Sequence, residues 1–304
     1  MTGSTPQPTS APDRLALLTL LAGAACIGFA PILVRYSHVG PSATAGFRVL
    51  FALPVLWAWM WWDHRVPRPM VRRARWSDFP LLALAGLLFV GDLAIWHWSL
   101  QFTTVAKSTL LANFAPLFAT LGAWLLLGER VTARFCFCLV LALAGVAMLV
   151  LLRSSGTGTA THPEALRGDL LAILAAVFYA AYLLMVKRLR RSFTGLTIMA
   201  WTGLVSCPVF LLAGITLGES VWPQTALAWG ILLLLGWISH LGGQTLIATA
   251  MGRLPASFSS IGLLLQPVIA AVLAWFLFAE HLSPLQILGG LIVLAGIGLA
   301  SQKA

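Results

Sequence analysis

Ten apolar stretches, each long enough to cross a bilayer, alternate along the chain with short polar segments rich in arginine. They fall near 15–35, 43–62, 79–100, 104–127, 135–152, 169–187, 195–217, 226–249, 256–279 and 284–301. A helix needs about 20 apolar residues to cross the hydrocarbon core, so the pattern predicts ten transmembrane helices joined by short loops. The first stretch follows Arg14 and has small residues near Ala24, as a signal peptide would. Its length and the nine spans after it favour a retained helix. Residues 1–14, rich in Pro, Ser and Thr, read as a disordered cytoplasmic tail.

The second five stretches repeat the first five. A shift of 151 residues places Pro116 on Pro267, Trp124 on Trp275, Glu129 on Glu280, Thr132 on Ser283 and Gly145 on Gly296. Earlier in each half, Pro54 falls opposite Pro208 and Arg35 opposite Lys187. Each half has an odd number of spans, so the halves lie in opposite orientations in the membrane, an arrangement common in transporters. The expected fold is an all-α membrane protein of ten transmembrane helices in two inverted five-helix repeats. Residues 15–153 form the first repeat, 154–168 a linker and 169–304 the second repeat.

Composition agrees: of 304 residues, 60% are hydrophobic and 9% charged, with mean hydropathy +0.92, whereas a soluble domain carries about 25% charged residues. Charge sets the orientation. If the N-terminus is cytoplasmic, fourteen basic residues lie on the inner side: Arg14, Arg65, Arg68, Arg72, Arg73, Arg75, Arg130, Arg134, Lys187, Arg188, Arg190, Arg191, Arg253 and Lys303. Only three, Arg35, Arg153 and Arg167, lie outside. This positive-inside bias puts both termini in the cytoplasm. It accounts for the net charge of +10 through topology and contact with anionic lipid, without any nucleic-acid partner. Trp57, Trp59, Trp61 and Trp62 at the inner end of the second span fit an interfacial aromatic belt. The four cysteines, Cys26, Cys136, Cys138 and Cys207, all lie within spans and read as small apolar core residues. Cys136 and Cys138, two apart, point in different directions and make a poor metal pair. No metal or other cofactor is implied.

Three segments carry a family resemblance: GPSATAGFRVLFALPVL after the first span, AKSTLLANFAPLFATLGAWLLLGERVT in the fourth, and ASFSSIGLLLQPVIAAVLAWFLFAEHLS in the ninth. They resemble the EamA family of the drug/metabolite transporter superfamily, over nearly the whole chain. The resemblance implies a ten-helix carrier of the bacterial inner membrane, often exporting amino acids or related metabolites. One departure is the stretch AACIGFA in the first span, where such proteins often carry a Trp.

The fifth and tenth spans have almost no polar side chains at their centres and are expected at the periphery, facing lipid or a symmetry mate. Their small residues, including Ala142, Gly145, Gly289, Gly290 and Gly296, permit close helix packing. A monomer or a weak homodimer through these spans is expected. The third, fourth, eighth and ninth spans carry mid-membrane polar groups, which are costly unless they line water or pair within the bundle. With the first and sixth, these spans are expected to bound a central cavity.

In the third span Asp92, Trp96, Ser99 and Thr103 share a helical face. Asp92, the only acid deep in any span, is either a proton-coupling or amine-binding carboxylate, or a structural one near a cation such as Arg48. His97, flanked by Trp96 and Trp98, either lines the cavity or packs. In the fourth span, Thr109, Asn113, Pro116 and Thr120 form one stripe. Pro116 and its counterpart Pro267 remove a backbone hydrogen bond, producing either a simple kink or freed carbonyls at a cavity. Asn113 and Gln266 sit near these kinks, placed to bind substrate or a neighbouring helix. His240 and Gln244 in the eighth span are four apart, hence on one face of an α-helix. Phe178, Tyr179 and Tyr182 form an aromatic cluster in the sixth. Arg48 and Lys107 lie near the outer ends of their spans, placed to snorkel or to handle an anionic group. Glu129 and Glu280, at helix ends, read as capping groups.

A carrier for a small molecule, an amino acid or related metabolite, with protons as a candidate coupled ion, is therefore expected. A channel or facilitator for small polar solutes is the alternative, but the polar positions cluster near mid-depth instead of running as a continuous pore. An intramembrane enzyme is less favoured. An aspartyl protease needs a second deep carboxylate, and Ser239 and His240 point apart as sequence neighbours.

Overall fold

The structure is a computed structural model that describes residues 13–65, 71–103, 105–151, 164–278 and 282–302. It contains ten helical segments long and apolar enough to span a membrane: Arg14–Arg35, Pro41–Asp63, Trp76–Ser99, Lys107–Leu127, Ala133–Leu151, Ala165–Leu189, Gly195–Thr216, Ala226–Ala250, Ala256–Leu277 and Pro284–Ser301. There is no strand among the described residues. Local chemistry sets many of the ends. Asp13, read as part of the tail, caps the first span, accepting from the Leu15 and Ala16 N–H groups at 3.1 and 3.4 Å. Thr194 and Thr225 cap the seventh and eighth. Ser283 and Gln286 make a reciprocal capping box on the tenth. Gly128 ends the fourth span at φ +69°, a left-handed position that favours glycine. The sixth helix starts at Ala165, four residues before the expected 169, because Arg167 and Gly168 already donate their N–H groups to the Glu164 carbonyl.

The helix contacts map onto themselves when the halves are exchanged. The third span packs on the sixth and the eighth on the first; the fourth packs on the sixth and the ninth on the first. The third packs on the seventh and the eighth on the second, while the second meets the seventh, the fourth the ninth and the fifth the tenth. Glycine permits the closest approaches. A Cβ on Gly145 would lie 2.6 Å from the Gly289 carbonyl oxygen, and one on Gly23 would lie 2.9 Å from that of Gly243. The small residues of the fifth and tenth spans are thus used against each other within the chain, which leaves outward faces such as Phe137, Val140, Leu285 and Leu288 exposed.

Four spans are irregular, and the irregularities surround the centre. The first breaks between Gly28 and Ala30, ahead of Pro31. The fourth breaks at Asn113–Phe114, ahead of Pro116, and the ninth at Leu263–Leu264, ahead of Pro267. Each proline lacks the N–H that would continue the ladder one turn back. In the eighth, Leu235–Gln244 is a π-helix, a wider coil that recurs at functional sites. Its Gly236 lets it approach the second span, where a Cβ would lie 2.9 Å from the Arg48 carbonyl.

Candidate functional site

The two proline breaks face each other across a small cavity of about 30 Å3, room for one or two waters and for nothing larger. Ala112, Asn113, Ala115 and Pro116 of the fourth span line it, with Tyr179 and Leu183 of the sixth, and Ser260, Leu263, Leu264 and Gln266 of the ninth. Four expected residues, Asn113, Pro116, Tyr179 and Gln266, are therefore brought together. The Asn113 amide donates to the Thr109 carbonyl of its own helix at 2.8 Å, which fixes the side chain against the break. The buried Gln266 Nε2 lies within reach of the Tyr179 hydroxyl, and both residues line the cavity.

A second group of buried polar side chains adjoins this cavity through an aromatic ladder. The His240 ring lies 5.7 Å from Phe89, Phe89 lies 5.4 Å from Tyr182, and Tyr182 stacks on Tyr179 at 6.1 Å. His240 is 3% exposed, and both its ring nitrogens lack partners. Asp92, half-buried on the third span, has Arg48 as its electrostatic partner. Gln244 is buried beside this group on the eighth span.

Several expectations change. Arg48 does not snorkel: it is 8% exposed and its Nε is buried without a partner, because the second span is packed between the seventh and eighth. Tyr182 does not line the cavity; its hydroxyl turns to Met199 Sδ at 3.7 Å on the seventh span. Ser99 and Thr103 are structural. Ser99 bonds Ser108, and Thr103 donates to Asp169 at 2.8 Å. Lys107 also binds Asp169, at 2.6 Å. Trp96 packs on His97 with ring centroids 5.2 Å apart, and neither lines the cavity. Pro267 causes the ninth-span break without reaching the cavity wall. The π-coil replaces the α-helical spacing on which His240 and Gln244 were placed on one face, though both still point inward. Trp57 turns from the expected belt to pack on Trp201 at 5.7 Å, while Trp59, Trp61 and Trp62 remain exposed.

Two features escaped the sequence reading. Ser260 lies in the cavity wall; the only signal was the serine-rich run ASFSSIG. Glu129 caps a distant helix instead of its own. Its carboxylate accepts from the Ala256 N–H at 2.6 Å, the Ser257 N–H at 3.0 Å and the Ser257 hydroxyl at 2.7 Å, holding the ninth span to the end of the fourth. Beside it, Lys187 of the sixth span donates to the Met251 and Leu254 carbonyls at 2.9 and 2.5 Å. These ties lie on the face that carries Asp13 and Gln302. Arg253 and Arg134 reach those residues there, at 2.9 and 3.4 Å. On the opposite face Glu219 caps the second span, accepting from Ser42 and Ala43 N–H at 2.9 and 3.1 Å. Glu280 lies outside the described residues.

The chain is similar throughout its length to known membrane proteins. The profile of the EamA-like transporter family matches residues 14–151 and 166–302, one copy in each half. A protein of Streptantibioticus cattleyicolor named as a probable terminal-alkyne amino-acid exporter is 27% identical over 237 residues, which is 77% of this chain and 76% of that one. An uncharacterized transporter of Archaeoglobus fulgidus is 25% identical over 293 residues, covering 95% and 96%. A crystal structure 20% identical in sequence superposes with a TM-score of 0.80 over 94% of this chain and 96% of its own, a likeness of fold. With both halves matched, the chain is a multi-pass membrane transporter that belongs to the EamA-like transporter family.

Proposed function

We propose that this transporter exports amino acids or closely related small metabolites from the bacterial cytoplasm by alternating access, with both termini on the cytoplasmic side. The observation that carries the reading is the cavity between the proline breaks of the fourth and ninth spans, symmetry-related helices that meet at the centre of an inverted repeat. Its lining mixes an apolar wall (Leu183, Leu263, Leu264) with Tyr179, Asn113, Ser260 and Gln266, a combination suited to a small ligand with polar ends. At about 30 Å3 it is too small for an amino acid, so loading requires the helices to part on one side. On this reading the ties of Glu129 and Lys187 hold the ninth span and the 251–254 turn to the fourth and sixth spans at the cytoplasmic mouth. Polar groups gathered at mid-depth between the two breaks favour a carrier over a channel, which needs a continuous wet path.

The name of the Streptantibioticus relative supports the substrate class. Asp92 is the proposed coupling carboxylate, since an acid in the membrane interior is a recurring proton carrier. The test is uptake into proteoliposomes of each of the twenty common L-amino acids at pH 6 and pH 8. The reading predicts saturable uptake of at least one, changed by an imposed proton gradient. No uptake above protein-free vesicles for any of them overturns it.

A further inference from the structure

Arg48 sits seven residues inside the second span, about 10 Å from its end at 1.5 Å per residue. It is 8% exposed, and its Nε is enclosed without a hydrogen-bond partner. A guanidinium in the membrane interior is expensive unless it is paired. The chain supplies partial compensation only. Asp92, Tyr179 and Tyr182 lie within electrostatic reach of Arg48, yet its Nε has no hydrogen-bond partner. Around the same point, His240 keeps both ring nitrogens buried and unpartnered, and the buried Gln266 amide lies beside the Tyr179 hydroxyl. The interior therefore holds donors without a committed acceptor, the Arg48 Nε and the one N–H of a neutral His240 ring, and Tyr179 joins this group to the cavity wall.

An excess of enclosed donors around a guanidinium calls for an anion that brings several acceptors. A carboxylate fits, because the planar fork of Arg takes two oxygens side by side. We propose that Arg48 is the carboxylate anchor of the transport site and that Asp92, its charge partner, turns to the substrate's ammonium when the carboxylate arrives. The substrate class is then compounds with a free carboxylate, foremost zwitterionic α-amino acids, and it excludes their amides and decarboxylated amines. This inference rests on the amino-acid reading above and deepens it. It also explains why burying Arg48 is tolerated: the charge is held for a ligand and offset by Asp92 meanwhile.

The test compares ligands on the unaltered protein, so that folding is not in question. In proteoliposomes, the best-transported of the twenty common L-amino acids is set against its primary amide and the corresponding decarboxylated amine as competitors. Wild type is expected to bind the amide and the amine at least 30-fold more weakly than the acid. In Arg48→Gln, checked for folding by size exclusion and helical circular dichroism, that discrimination is expected to shrink to within 3-fold, with Arg48→Lys between the two. Equal competition by acid and amide in wild type, or full discrimination retained in Arg48→Gln, overturns the anchor. If Arg48→Gln does not fold, the wild-type comparison and Arg48→Lys decide. If no amino acid is transported but its deaminated carboxylic acid is, with the same dependence on Arg48, the amino-acid reading falls and the anchor stands. If neither is transported, both fall.

Discussion

Removing the Glu129 carboxylate is expected to open the mouth on the face that carries Asp13 and Gln302. The side chain is half-buried and accepts three hydrogen bonds from the start of the ninth span, at 2.6, 3.0 and 2.7 Å. It replaces an N-cap that Pro255, which precedes the helix, does not supply with any side-chain bond. Loss of a cap costs about 0.5–2 kcal/mol, and hydrogen bonds to a charged group contribute about 1.5–3 kcal/mol each where they are shielded. Because this group is half-exposed and water takes over part of its role, about 2 kcal/mol is a fair total. If the bonds exist only while the mouth is closed, that energy shifts the closed-to-open ratio by about 30-fold. The assay uses the Ser260→Cys variant in a background where Cys26, Cys136, Cys138 and Cys207 are replaced, so that the reporter sits in the cavity wall. A membrane-impermeant maleimide is applied to inside-out vesicles. Adding Glu129→Ala is expected to speed labelling about 30-fold, and adding Glu129→Gln, which keeps an acceptor but loses the charge, to speed it less. Unchanged labelling in Glu129→Ala would refute the argument that these bonds hold the mouth shut.

Three further outcomes are expected. Asp92→Asn keeps the shape and removes the charge; uptake should lose its dependence on pH in proteoliposomes while the protein stays folded, and retention of both rate and pH dependence would make Asp92 structural. Gly289→Leu forces a Cβ to within 2.8 Å of the Gly145 carbonyl, so it should cost about 1–3 kcal/mol by overpacking and lower the thermal midpoint in detergent, whereas Gly298→Leu, where a Cβ meets nothing, should not. Asp13 is held below the ordinary carboxylate range by its hydrogen bond from Arg253 and by the Ala16 and Leu15 N–H groups. A lowered folded-state pKa stabilises above the unfolded value and is lost as the pH falls through the folded one. Asp13→Asn should therefore lower the midpoint by at most about 2 °C at pH 7, the pair being exposed, and by less as the pH drops below about 4; an effect that grows at low pH would contradict the assignment.

The spans were legible because membrane solvation imposes length and apolarity on every helix, so the pattern needed no tertiary context. Pro116 and Pro267 were legible for a similar reason: the missing N–H acts locally, and the breaks at Asn113–Phe114 and Leu263–Leu264 follow directly. What escaped depends on neighbours. Arg48 read as a snorkelling residue because its depth is visible in sequence while the seventh and eighth spans that enclose it are not. Tyr182 and Tyr179 are alike in the chain, yet one turns to Met199 and the other to the cavity. The π-coil around His240 leaves no mark on hydrophobic spacing, since its glycines serve contacts with the first and second spans. Glu129 caps a helix that starts 127 residues further on, a pairing no local rule anticipates.

Counterflow separates a carrier that exposes one cavity to each side in turn from any continuous path. Proteoliposomes are preloaded with an excess of the unlabelled amino acid, and entry of a trace of the labelled one is followed. A carrier whose reorientation is faster when loaded should admit the label several-fold faster than into empty vesicles and accumulate it transiently above the outside concentration. Entry that is indifferent to the internal amino acid and stays linear with external concentration would contradict alternating access through the cavity between the fourth and ninth spans.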